Sequence, residues 1–144
     1  MDKNESIISS LGYIQDIIKR MASNSFFIKG WALSISAVII ALIPKLDEIE
    51  SYSPNSIPIV ITLSIIILFM FSLLDTYYLQ QERIFRNEYN RKVESIDNED
   101  IKNSLTIISL KKVKTSYLSV YFTISIIPYY FIMISSLIIG SYLI

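Results

Sequence analysis

At 144 residues the chain has the length of about one domain, and its 18% charged content falls below the roughly 25% of an ordinary water-soluble domain. Its 13 basic and 13 acidic residues cancel, so net charge points to no partner. Cysteine and histidine are both absent, which excludes disulfides, thiolate chemistry and the usual zinc sites, and removes the commonest general base. An enzyme is therefore disfavoured, and no cofactor or metal is expected. The 52% hydrophobic content and mean hydropathy of +0.47 point instead to an all-α integral membrane protein.

The first element predicted is an amphipathic helix within residues 1–25. Ile7, Leu11, Ile14, Ile18 and Met21 recur at spacings of 4, 3, 4 and 3, while Asp16, Lys19 and Arg20 lie off that seam. Such a helix lies on a membrane surface or against a neighbouring helix, or it self-associates. A first transmembrane helix follows at 26–44, "FFIKGWALSISAVIIALIP". It begins too late for a secretory signal and is expected to be retained. Gly30, Ser34, Ala37 and Ala41 place small residues along it at 4, 3 and 4, a pattern that lets helices approach closely. A short outer loop, 45–56, separates it from a second span at 57–75.

The second span passes without glycine or proline into "YYLQQERIFRNEYNRKV", so the helix is expected to run on into the cytoplasm. Tyr78, Phe85 and Tyr89 share one face, and Glu82 stands four residues before Arg86, a favourable helical pair. Asp75 sits at the membrane edge. "SIDNED" ends this extension, and 101–116 is expected to return as a helix that pairs with it. The third span is 117–144, with Pro128 inside it as a kink.

Basic residues set the orientation. The 76–116 region carries Arg83, Arg86, Arg91, Lys92, Lys102, Lys111, Lys112 and Lys114, whereas the 45–56 loop has Lys45 beside Asp47, Glu48 and Glu50. The N-terminus and 76–116 are therefore expected in the cytoplasm and the C-terminus outside, in a bacterial inner membrane.

The candidate chemistry is non-catalytic. Arg83, Arg86, Asn90 and Arg91, with Tyr78 for stacking, are candidates for an anionic ligand such as a nucleotide or short oligonucleotide. The same charges also serve orientation and attraction to anionic lipid. The acidic group Asp97, Glu99 and Asp100 lacks a calcium-loop pattern and reads as a solvated turn. No charged residue is expected deep in a span, which disfavours a proton relay or ion-coupled pump. Ser34, Ser119, Thr123 and Ser125 are candidates for helix packing or for lining a passive pore. Three spans are too few to enclose a path, so a homo-oligomer is expected, with a tetramer favoured.

Three stretches also carry a resemblance, the third being "SVYFTISIIPYYFIMI" in the last apolar segment, and two of them hold its motifs. "NSFFIKGW", from Asn24 to Trp31, and "DTYYLQQERIFRNEY", from Asp75 to Tyr89, resemble a family of small bacterial multi-span membrane proteins with NSFxxKGW and DxYYLxQERxFRxxY motifs. That pattern marks Asn24, Lys29, Gly30 and Trp31, then Asp75, Tyr78, Glu82, Arg83, Phe85 and Arg86. By size and architecture the chain is also similar to the membrane effectors of Hailong-type anti-phage systems (HalB-like). What that resemblance implies is a ligand-gated channel or depolarising pore, acting in abortive infection, with a ligand made by a neighbouring nucleotidyltransferase. The alternative reading is a non-conducting membrane anchor or scaffold that recruits a cytoplasmic partner.

Overall fold

The computed structural model describes residues 3–47, 56–96 and 115–142, and these are almost wholly helical, with no strand among them. The described isoleucine-rich segments, which would favour strands in water, are helical apart from a turn over 122–126. Helix α1 spans Lys3–Asp47 and α2 spans Ser56–Ile96. At 1.5 Å per residue they are about 67 and 61 Å long. Each has a polar half and an apolar half, and each is long and apolar enough to cross a membrane. The described residues thus contain two such helices.

The amphipathic start and the first apolar segment are one helix, not two elements meeting near residue 25. Gly12 and Gly30 do not interrupt it, because one glycine costs only about 1 kcal/mol within a long helix. In α2, Pro58 falls in the first turn, where its missing N–H is tolerated.

α1 and α2 form an antiparallel hairpin. Gln15 meets Tyr89 at one level, and Lys29 meets Asp75 at another. The seam of Ile7, Leu11, Ile14, Ile18 and Met21 is buried or half-buried in this pairing, and Ile14 is only 1% exposed. The amphipathic face is therefore satisfied by the polar half of α2. The expected returning helix at 101–114, the outer loop from 48 to 55 and the acidic group at 97–100 lie outside the described residues.

The third apolar segment departs from expectation. A single kinked helix over 117–144 is replaced by a short α3, Tyr117–Tyr121, a turn over 122–126, and α4, Ile127–Tyr142. Pro128 does not kink a continuous helix; it occupies the first turn of α4, where proline's fixed φ is compatible. The turn closes with bonds from the Ile126 and Ile127 amides to the Thr123 carbonyl. α4 runs parallel to α1: the Tyr129 hydroxyl donates to the Lys29 carbonyl at 2.6 Å, and Ile40 packs over Gly140.

The core sits between the apolar half of the hairpin and α4. Ala32, Leu68, Ile126, Tyr130, Met133 and Leu137 are buried together. Large apolar side chains elsewhere in this half face outward, including Leu33, Val38, Leu63, Met70 and Ile132.

Candidate functional site

The polar and apolar halves of the hairpin meet at a buried charged cluster. Asp75 on α2 has no exposed surface, and the Lys29 ammonium on α1 lies 2.5 Å from its Oδ2. Ser25, one helical turn before Lys29, donates its hydroxyl to Asp75 Oδ1 and accepts from the Lys29 ammonium at 3.0 Å. The i, i+4 spacing of Ser25 and Lys29 aims both at one carboxylate. Tyr129 ties α4 to the same level through the Lys29 carbonyl, and the buried Tyr130 hydroxyl stands near Asp75 without a hydrogen-bond partner among the described residues. One carboxylate is thus held by α1, carried by α2 and approached by α4.

A buried carboxylate is costly unless it is paired and hydrogen-bonded, and removing one partner of such a pair typically costs about 3–5 kcal/mol. Asp75 therefore fixes the register of α1 against α2. Lys29 keeps about a fifth of its side chain exposed, so the ammonium has a route outward that the carboxylate lacks.

Other hydroxyls of the apolar halves are satisfied within their own helices. Ser34 donates to the Gly30 carbonyl, Ser36 to Ala32, Thr62 to Pro58 and Ser64 to Val60, all four residues back. Among the pore candidates, Ser34, Ser119 and Ser125 are exposed on the outside of the bundle, and Thr123 bonds the Val120 carbonyl at 2.6 Å inside the turn. The small stripe of Gly30, Ser34, Ala37 and Ala41 is exposed along its whole length. It does not pack α1 against α2.

The arginine candidates lie on the polar half of α2. Arg86 bonds Glu82 at 2.6 Å, as its spacing predicts. Arg91 grips Glu88 with two bonds, Nε to Oε2 at 2.9 Å and Nη2 to Oε1 at 2.6 Å. That carboxylate pushes the Arg91 pKa up, chiefly through the hydrogen bond, against the smaller opposing effect of burial. Arg83 is half-buried with no ion pair among the described residues, Asn90 is exposed, and Tyr78 sits edge-on to Tyr77. The five share one stretch of helix, and two already hold carboxylates.

Sequence reasoning missed the buried face of this stretch. Glu88 has no exposed surface and Lys92 is 6% exposed, although in the sequence Lys92 counts only as a charge that sets orientation. It also left Lys29 and Asp75 as separate edge residues and gave Ser25 no role. The signal was present: a cation opens the first apolar segment and a carboxylate closes the second, which an antiparallel hairpin brings to one level, and both belong to the motifs that carry the resemblance. Among known proteins, no family model, no curated protein and no solved structure matches this chain.

Proposed function

We propose that the chain is an inner-membrane protein that crosses the bilayer three times, through the apolar halves of α1 and α2 and through α4. The Lys29–Asp75 cluster then lies at the cytoplasmic boundary. Exposed Phe26, Phe27, Trp31, Tyr77 and Phe122 gather near that level, as interfacial aromatics do, which supports this depth. The polar half of the hairpin projects about 30 Å into the cytoplasm, roughly the rise of its final 20 residues.

In this reading the protein is a homo-oligomeric effector, with a tetramer favoured. It works as a ligand-gated channel or depolarising pore in anti-phage defence, controlled through its cytoplasmic helices by a nucleotide-type ligand. The observation that carries it is the junction. α1 and α2 each pass unbroken from a polar to an apolar half, and they are pinned to each other by one buried ion pair where the halves meet. A rigid hairpin transmits a cytoplasmic displacement to the membrane half, and the pair supplies two discrete arrangements, joined or parted, between which a ligand selects. The exposed small-residue stripe on α1 offers the surface for close contact between copies.

The test is membrane potential, read with a voltage-sensitive dye after expression with and without the neighbouring gene. Depolarisation that depends on that gene, and that is altered in Lys29→Gln, is the expected result. An unchanged potential under every condition, with the protein present in the membrane, overturns the channel and leaves the anchor or scaffold. Reporter fusions are expected to place Glu88 inside and the 48–55 segment outside. An external Glu88 overturns cytoplasmic control.

A further inference from the structure

The break between α3 and α4 has a consequence beyond topology. The turn at 122–126 keeps α3 and α4 from lying against α2 as one helix, beside the buried Leu68 and Ser72. There a cavity of about 240 Å³ opens, walled by Leu68, Phe69 and Ser72 of α2, Tyr121 of α3, and Phe131 and Ile134 of α4. We propose that it is a lipid site that takes one acyl chain of a phospholipid, with the chain's ester carbonyl at the Tyr121 end. This rests on the membrane placement above, and not on conduction.

Three observations single out that occupant. First, no charged side chain lines the cavity, so a nucleotide or other anion finds no counter-charge, and apolar cavities of this kind stay dry. Second, its surroundings are hydrocarbon-facing: Phe69, Met70, Phe131 and Ile132 are half or more exposed, so the approach is lateral. Ser72 and Leu68 stand three and seven residues from Asp75, about 5 and 10 Å below the boundary, the depth of lipid esters and upper acyl chains. Third, the polar end has a weakly engaged donor. Ser72 Oγ already donates to the Phe69 carbonyl at 2.7 Å and stands 3.5 Å from the Tyr121 hydroxyl, too long for a strong bond. With the Ser72 proton committed, Tyr121 is the donor in that long contact, and an ester carbonyl that arrives with an acyl chain is an acceptor to which it can turn. A second copy of the chain is the weaker occupant, since the surface suited to close helix contact lies on α1.

The experiment uses the full chain reconstituted with dioleoyl phosphatidylcholine or its ether-linked analogue, then counts retained lipids per chain by native mass spectrometry. The wild type should keep about one lipid per chain and prefer ester over ether by about fivefold, the net worth of one hydrogen bond. Ile134→Trp, which fills the cavity, should lose that lipid. Tyr121→Phe, which changes only the hydroxyl, should abolish the ester preference, and it carries the test if Ile134→Trp fails to fold. An unchanged lipid count in folded Ile134→Trp, or an ester preference that survives in Tyr121→Phe, overturns the site. A changed oligomer mass with an unchanged lipid count overturns it in favour of a second copy. A chain that does not float with the vesicles overturns the membrane placement and the site together.

Discussion

The two halves of the α1–α2 hairpin use the same helices and the same antiparallel register, yet they are held together differently. In the polar half the contact is a narrow apolar seam centred on Ile14, edged by the Gln15–Tyr89 bond and by the buried Glu88 and Lys92, with exposed charges beyond. The exposed Asp16–Lys19 pair, at 4.0 Å, illustrates how little such surface pairs are asked to do. In the apolar half the outward surface is Leu33, Val38, Leu63 and Met70, and the hydroxyls turn back onto their own carbonyls. A third helix is needed there to complete the core. In the proposed membrane placement the difference follows from the solvent each half meets. Water drives a single seam together and hydrates the rest; hydrocarbon offers no such drive, so close packing and one polar cluster must specify the arrangement.

That contrast is most severely tested at the junction. Lys29→Met leaves the fully buried Asp75 carboxylate without its cation and should destabilise the hairpin by about 3–5 kcal/mol. Asp75→Asn should cost less, because the partly exposed lysine can carry its ammonium toward water. Reversible unfolding in mixed micelles measures both. Equal and negligible losses would show that the two halves are joined by packing alone.

Next in size is the seam. Ile14→Ala should cost about 2–5 kcal/mol, concentrated in the polar half, and hydrogen exchange should rise around Tyr89 while the apolar half stays protected. Exchange rising equally across both halves would mean that they unfold as one unit and that the division drawn here has no energetic counterpart.

A smaller effect on the folded chain, but a direct one on assembly, is expected from Ala37→Leu. Its side chain is exposed, so the monomer should tolerate it, while the oligomer in native mass spectrometry should weaken. A wild type that is monomeric in both mild detergent and lipid removes the stripe as an interface.

The smallest structural change belongs to Arg83→Gln with Arg86→Gln. The exposed Arg86–Glu82 pair contributes about 1 kcal/mol or less, so helicity and assembly should persist. Titration with candidate nucleotides or oligonucleotides should nevertheless show weakened binding. Equal affinity in wild type and variant removes this face of α2 as the ligand site.

Much of the hairpin was legible in the order of residues. The seam from Ile7 to Met21, the apolar runs, the absence of a breaker after Leu74 and the Glu82–Arg86 pair are local periodicities, and a helix expresses them wherever it is placed. The third segment was not legible, because Pro128 is equally compatible with a mid-helix kink and with a first turn. The choice fell to the first turn when Tyr129 bonded the Lys29 carbonyl and Gly140 fitted under Ile40, contacts about 100 residues distant in sequence. The cluster of Ser25, Lys29 and Asp75 was half legible: each residue type was visible and each motif stood out, but no local rule joins position 25 to position 75. Tertiary structure decided that pairing. A buried carboxylate must find a cation and a hydroxyl, and only the antiparallel register of α1 on α2 brings both within reach.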